Sequence, residues 1–440
     1  MPQNRNEPRR TVGSYWEATV PAPRIDRQLI GNALFDVAVI GAGFAGLSAA
    51  LKLAQAGVSV CVLESEHVGY GASGRNGGFC CLGGTKLDEQ QLIRKYGLDE
   101  ARLFVAYQVA GINLVQQRLE SWGIDADRHS SGEIYLAHRP KDVPMLQSHA
   151  RFLKENFGIK TTLLSKDELQ AHGYGGPDFH GGLHMPYGFA LNPMKYVQEL
   201  AQQVRRQGGK IFGKTPVTGL SQNGDRWRLE TEHGFVRARK VIVAGNGYAR
   251  EDAPKWLYGR TLPVMSSVQV TRPLSDDELQ AQGWTSDTMA ADTRNLLHYF
   301  RLLPDRRFLF GTRGGIYENT SALGAMNKHA IADFQTMFPA WRDVETEYSW
   351  HGRVCLARDL TPFVGEVPQF DGIYVAMAWH GSGIAMASIS GEKVAAMLLG
   401  KLRAQDLPAP LVKPLRKFPF PVFRKLYLQG AYWYYDWQDR

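Results

Sequence analysis

The 440-residue chain is predicted to be an α/β protein. A nucleotide-binding domain on a parallel sheet is assembled from separated segments and joined to a substrate domain with a mixed or antiparallel sheet. Three observations predict this. The stretch "DVAVIGAGFAGLSAALKLAQAGVSVCVLE" (36–64) reads as strand, glycine turn, helix, strand and acidic end. A second glycine-rich segment, "VGYGASGRNGGFCCLGG" (68–84), follows almost at once. Much later, "LPVMSSVQVTRPL" and "LHYFRLLPDRRFLFGTRGG" carry the aromatic and β-branched residues of sheet strands.

Phe35 to Ile40 is an apolar run suited to a central parallel strand. It leads into Gly41-Ala42-Gly43-Phe44-Ala45-Gly46, the Rossmann-like turn. Gly41 makes the tight turn, Gly43 admits a pyrophosphate close to the backbone, and Gly46 lets the helix sit against the sheet. The N-terminal N–H groups of the Ala/Leu-rich helix favour the anion. Glu64, with Ser65 beside it, closes the second strand 18 residues after Gly46, placed to accept from a ribose. Its charge would repel the 2′-phosphate of NADP, which leaves NAD or FAD. The loop carrying Gly71, Ala72, Ser73, Arg75, Asn76, Gly77 and Gly78 is too glycine-rich for a helix or strand. It is suited to lay N–H groups along a long ligand, with Arg75 offered to phosphate or flavin oxygen.

These two motifs together resemble the D-amino-acid-oxidase (DAO) type of FAD-dependent oxidoreductases, and within it the gamma-glutamylputrescine oxidase branch. Three later segments extend the resemblance from about residue 14 to the end. "NPMKYVQELAQQVRRQGGKIFGKTPVTGL" resembles the family segment whose end, at Thr215-Pro216-Val217, meets the adenine side of FAD. "RKVIVAGNGYA" resembles the strand whose turn, Ala244-Gly245, passes near the cofactor. "DLTPFVGEVPQFDGIYVAMAWHGSGIAMASISGEKVAAMLLG" resembles the flavin segment. There Trp379 and His380 are expected to face substrate, and Gly381, Ser382, Gly383 and Ile384 to bring a helix N-terminus to the flavin. Tyr299 and Arg301 resemble the family strand facing the flavin, with Arg301 suited to grip a carboxylate; His298 and Phe300 would face the other way.

The resemblance implies oxidation of a C–N bond in an amine or amino acid: hydride to flavin N5, imine hydrolysis, and oxygen as acceptor giving hydrogen peroxide. A gamma-glutamylputrescine-like substrate comes first. The alternatives are a cyclic or secondary amino acid, and a membrane-docked dehydrogenase passing electrons to quinone. Two departures matter. Sarcosine-oxidase relatives carry a lysine after the late glycine motif, where this chain has Ile384, Ala385 and Met386, and another in the strand matching "RRFLFG", which is apolar between Arg307 and Gly311. Cys355 stands one residue out of register with their flavin attachment point, so noncovalent FAD is expected.

By these signatures residues 30–85, 186–260 and 350–405 form the FAD domain, and 86–185 and 261–349 the substrate domain. Residues 1–29 form an N-terminal extension and 406–440 a basic, aromatic C-terminal segment. The charge of +8 suggests mild attraction to anions. That last segment is expected to pack its Phe, Tyr and Trp on the body and leave Arg and Lys in water, rather than to contact nucleic acid or a membrane. Metal-type cysteine spacing and H-E-x-x-H are both missing from the sequence, so no metal is expected. No apolar run approaches the roughly 20 residues of a membrane span, and the polar N-terminus lacks a signal-peptide core. A cytoplasmic enzyme is the expectation.

Overall fold

The computed structural model describes residues 13–21 and 26–439; the rest of the expected 1–29 extension lies outside the described residues. Apolar runs such as 37–40, Val60–Leu63 and 241–243 pair as the centre of the first sheet. Its path runs Phe363–Glu366, Ile373–Met377, Gly234–Val243, Gly31–Ile40, Val60–Leu63, Lys210–Phe212. The pairings from Ile373–Met377 through to Lys210–Phe212 are all parallel. The strand into the glycine turn starts at Gly31, ahead of the predicted Phe35. Its first half is partly exposed and so carries no apolar signature.

Four helices share one core on this sheet: α1 (Phe44–Gln55), α2 (Leu98–Trp122), α3 (Pro193–Arg206) and α4 (Ile384–Leu398). They cross closely. A Cβ on Gly391 of α4 would lie 2.2 Å from the Ala45 carbonyl oxygen of α1. Arg118 of α2 fastens three of them. Its Nη1 donates to Ser48 Oγ of α1 (2.9 Å) and Tyr196 Oη of α3 (3.0 Å), and its Nη2 to Glu392 Oε1 of α4 (2.8 Å). Breaking a buried ion pair from one side costs about 3–5 kcal/mol. Arg118→Met is therefore expected to lower unfolding free energy by roughly 3 kcal/mol, read as a lower urea midpoint at unchanged slope.

The second sheet runs Thr346–Ala357, Thr261–Thr271, Phe308–Gly315, Tyr299–Leu302, Met289–Asp292, Glu133–Leu136, Gly181–Met185, Thr162–Ser165. Every pairing is antiparallel except Met289–Asp292 with Glu133–Leu136, so the sheet is mixed. Its far face holds Phe300, Phe308, Trp284 and Trp341 in an aromatic core.

Two expected boundaries shift. Thr346–Ala357 straddles the limit at 350 and pairs along Thr261–Thr271, so it belongs to the second sheet. Helix α2, placed by sequence in the substrate segment 86–185, packs Phe104, Ile112 and Val115 into the core of the first sheet. Amphipathic patterning shows that a helix has a buried face but not which partner covers it. The C-terminal segment also departs from expectation. Helix α5 (Arg424–Asp439) leaves Trp433 and Trp437 71% and 70% exposed rather than packed on the body.

Candidate active site

A cavity of about 470 Å³ runs from the glycine turn, past the second glycine loop, to the second sheet. At one end Gly41, Gly43, Phe44 and Ala45 line it together with Glu64, Ser65, Pro216, Val217, Ala244 and Gly245. Gly41 has φ +105°, and a Cβ on Gly43 would stand 2.8 Å from Ser73 Oγ. Glu64 Oε2 accepts from the Ala42 N–H at 2.7 Å, which fixes the carboxylate at the turn. Its Oε1 takes the Glu66 N–H and the Ser65 hydroxyl, leaving Oε2 with acceptor capacity toward the cavity.

The second loop is held from outside. Gly74 O accepts from Ser14 Oγ (2.8 Å), Arg75 O from Trp350 Nε1 (2.9 Å), Asn76 O from Trp16 Nε1 (2.8 Å) and Gly77 O from Arg301 Nε (3.1 Å). Gly78 O completes the series by accepting from the Leu191 N–H. Five successive carbonyls are thus pinned by donors outside the loop, while Gly71, Ala72, Ser73, Arg75, Asn76 and Gly77 line the cavity. Asn76 also braces the loop, donating to Ala72 O and Ser73 O and accepting from Gly78 N–H.

The other end is built on the turn after Ile373–Met377. Ala378, His380 and Gly381 have φ +70°, +53° and +113°. Such conformations cost about 1–3 kcal/mol for non-glycine residues and gather at functional sites. Trp379, His380, Gly381, Ser382, Gly383 and Ile384 all line the cavity, where no side chain caps the start of α4. From the second sheet come Tyr299, Glu133, Tyr135 and Arg313, and from the intervening chain Lys86 and Gln108.

Three expected site residues are corrected, and a fourth, Gly46, keeps the helix-packing role expected of it without lining the cavity. Arg301 does not line the cavity. It is fully buried, with Nε, Nη1 and Nη2 each engaged, on Gly77 O, His129 Nε2 (2.7 Å) and Leu191 O (3.0 Å), so it braces the loop from behind the cavity wall rather than facing a substrate carboxylate. His380 has both ring nitrogens engaged: Nε2 accepts from the Ala357 N–H (3.1 Å) and Nδ1 faces Gly84 O (3.2 Å). Burial pushes its pKa down to about 3, so it is a neutral packing residue. Gly46 and Gly78 lie behind the lining. A Cβ on Gly46 would meet Gly41 O at 2.0 Å, and one on Gly78 would meet Leu191 O at 2.2 Å.

The His380 state has a sign. An unfolded histidine titrates near 6.5, so between pH 6.5 and 3 the unfolded chain binds a proton that the fold excludes. Its stabilising contribution is complete above pH 6.5 and is lost as pH falls toward 3. On going from pH 7 to pH 5 this group should remove roughly 2 kcal/mol. Urea titrations of His380→Gln are expected to show a smaller pH difference than the parent.

Arg313 is the residue that sequence reading missed. Tyr299 pairs with Gly311, and its ring covers the space a Cβ there would need, 2.1 Å from Tyr299 Cζ. Beyond that pair the register skips Gly314 (φ +135°), a bulge that re-aims its neighbour. Arg313 is therefore turned to the Gly381 turn, where a Cβ on Gly381 would lie 2.6 Å from its Nη2. Its Nη1 is buried and has no partner among the described residues. Burial lowers the Arg313 pKa, and Arg313 in turn, with burial, holds the Lys86 pKa well below its ordinary value. Glu133 is raised by burial, while the Tyr135 hydroxyl (2.6 Å) partly offsets that. The arrangement offers one unpartnered guanidinium nitrogen, Arg313 Nη1, beside the turn and a buried carboxyl group, Glu133, on the second sheet.

The sequence matches the model of the DAO family, described as FAD dependent oxidoreductase, over residues 36–397. The chain belongs to this family. Its curated relatives include gamma-glutamylputrescine oxidoreductase of Escherichia coli, 30% identical over 92% of this chain and 93% of that protein. In fold, this DAO-family chain is similar to glycine oxidase from Geobacillus kaustophilus (TM-score 0.71, 23% identity, covering 88% of this chain and 100% of that one). It is also similar to L-amino acid deaminase from Proteus vulgaris lacking its specific insertion (TM-score 0.70, 20% identity, 93% and 99% covered). FAD is the cofactor of this oxidoreductase, and the cavity fits it. Two helix starts without a side chain of their own capping residue, glycines whose Cβ atoms would intrude, and the Glu64 acceptor meet one continuous space.

Proposed function

We propose that this DAO-family enzyme oxidises the C–N bond of a small amine or amino acid bearing a carboxylate, and that Arg313 receives the carboxylate. The observation that carries this reading is the buried, unpartnered Arg313 Nη1 in the cavity. Leaving a charged donor unsatisfied in the interior costs free energy that an incoming anion recovers. Glu64, Val217 and Ala244-Gly245 hold the nucleotide end of FAD, the 71–77 loop and the start of α1 its phosphates, and the 381–384 turn its reactive ring. When bound, FAD accepts the two electrons and the hydrogen that leave the carbon next to nitrogen. Arg313 orients the substrate, Tyr299 and Trp379 enclose it, and the resulting imine hydrolyses in water.

FAD is held noncovalently in this reading: Cys355 is buried in the core and does not line the cavity. Oxygen is the proposed acceptor and the cytoplasm the proposed location; no described helix is long and apolar enough to cross a membrane. The Escherichia coli relative supports a gamma-glutamylated diamine as substrate. The closeness of Arg313 to Gly381 favours a second reading, a secondary or cyclic amino acid, whose carboxylate sits on the reacting carbon.

The test is the visible spectrum of the anaerobic holoenzyme against a panel of amines and amino acids. Bleaching of the flavin band by a carboxylate-bearing amine is expected, and admitted air should restore it. Bleaching only by amines without a carboxylate, or by none, would overturn the reading.

A further inference from the structure

We infer that helix α5 and the turn Phe420–Phe423 before it form a docking surface for an anionic lipid membrane. Of the chain's ten tryptophans, only Trp433 and Trp437 are exposed, and both lie on this helix. Leu426, Trp433 and Trp437 recur at i, i+7 and i+11, the spacing of one helix face. Phe420, Val422 and Phe423, in the turn that leads into the helix, are 75%, 76% and 54% exposed. Large apolar side chains concentrated and exposed on one short segment mark a contact surface.

The helix is seated rather than loose. On its inner side Leu428 is buried with Leu262, Val264 and Ile316, and Tyr432 packs against them. At its end Arg139 Nη1 donates to Gln438 O (2.7 Å), and the Asp439 carboxylate accepts from the Asn295 and Leu296 N–H groups (2.9 and 3.1 Å). The next residue, Leu297, lines the cavity. The outward face is therefore presented by a fixed element that borders the cavity wall.

Charge selects the occupant. Residues 406–440 carry six Lys and Arg against three Asp. Lys417 and Lys425 lie over the rings of Tyr258 and Tyr317 (5.0 and 5.1 Å), and neither is within ion-pair distance of a carboxylate among the described residues. Tryptophan and tyrosine with basic neighbours suit the headgroup region of a bilayer, where an apolar ring body and a polar tip are both satisfied. Basic residues add attraction to anionic headgroups. A second copy docked through the same face would bring like charges together.

The test is flotation of the full-length holoenzyme with vesicles of phosphatidylcholine alone or mixed with phosphatidylglycerol. Binding is expected to the anionic vesicles, weakened by salt, with a blue shift of tryptophan emission. The double variant Trp433→Ser/Trp437→Ser is expected to bind about tenfold more weakly or less, with its flavin spectrum unchanged. No flotation with anionic vesicles, or flotation that the double variant leaves intact, would overturn the inference. So would light scattering that shows a dimer broken by the same two substitutions, which would give the face to a second copy.

Discussion

An Arg313→Gln variant is expected to purify with its flavin spectrum intact and to lose about 10²- to 10³-fold in kcat/KM toward its carboxylate-bearing substrate. Removing one partner of a buried, hydrogen-bonded charge pair costs about 2–5 kcal/mol, and each 1.4 kcal/mol is a factor of ten. Glutamine keeps much of the side-chain volume and one donor, so the cavity should not collapse. The flavin is sheltered from the change because the glycine turn, Glu64 and the 71–77 loop are supported by residues other than Arg313. The comparison that decides is between two substrates, the carboxylate and its amide. The parent should prefer the carboxylate strongly and the variant hardly at all. An equal loss on both would make Arg313 a packing residue. A parallel Arg301→Gln variant should instead lower FAD content, because that guanidinium holds Gly77 O and Leu191 O.

Gly46→Ala is expected to abolish FAD binding altogether. A Cβ at this position would stand 2.0 Å from Gly41 O and 3.1 Å from Val39 Cγ1. Both belong to the central strand and its turn, so α1 would have to move off the sheet. Overpacking a core typically costs about 1–3 kcal/mol, and here the displaced groups are those that meet the pyrophosphate. The ratio of flavin to protein absorbance after purification reads the effect. Gly324→Ala is the matched control. It lies within the helix Thr320–Met337, where a Cβ meets nothing within 4 Å, and is expected to gain up to about 1 kcal/mol. A Gly46→Ala protein that retains stoichiometric FAD would show that the turn tolerates a shifted helix.

The cofactor end of the cavity was legible in the sequence because its requirements are local. Strand, Gly41-x-Gly43-x-x-Gly46, helix and Glu64 fall within thirty residues, and Gly46 answers a contact only five residues away, the Gly41 carbonyl. The substrate end was not, because it depends on register and on distant packing. Arg301 alternates with Tyr299 on one strand face, as the sequence implies, yet the guanidinium passes beneath the glycine loop and is consumed there. Arg313 becomes visible only when Tyr299 is paired with Gly311 and the bulge at Gly314 is known. The strand segment read from the sequence included Arg313, but period-2 alternation does not locate the bulge that sets where its side chain points. His380 stands beside the flavin motif, but its hydrogen bonds to Gly84 and Ala357 come from elsewhere in the chain. The exposed face of α5 was misjudged for a different reason: composition records aromatic residues without recording which of them the body covers.

The donors that pin the 74–77 carbonyls come from Ser14, Trp16, Arg301 and Trp350, near the beginning of the chain and late in it. During synthesis the glycine turn and its loop leave the ribosome early, yet the four outside donors are complete only when residue 350 has followed. FAD capture is therefore a late event in maturation, one that reports completion of the second sheet. A nascent or clipped chain ending before residue 350 would carry the whole nucleotide motif and remain colourless.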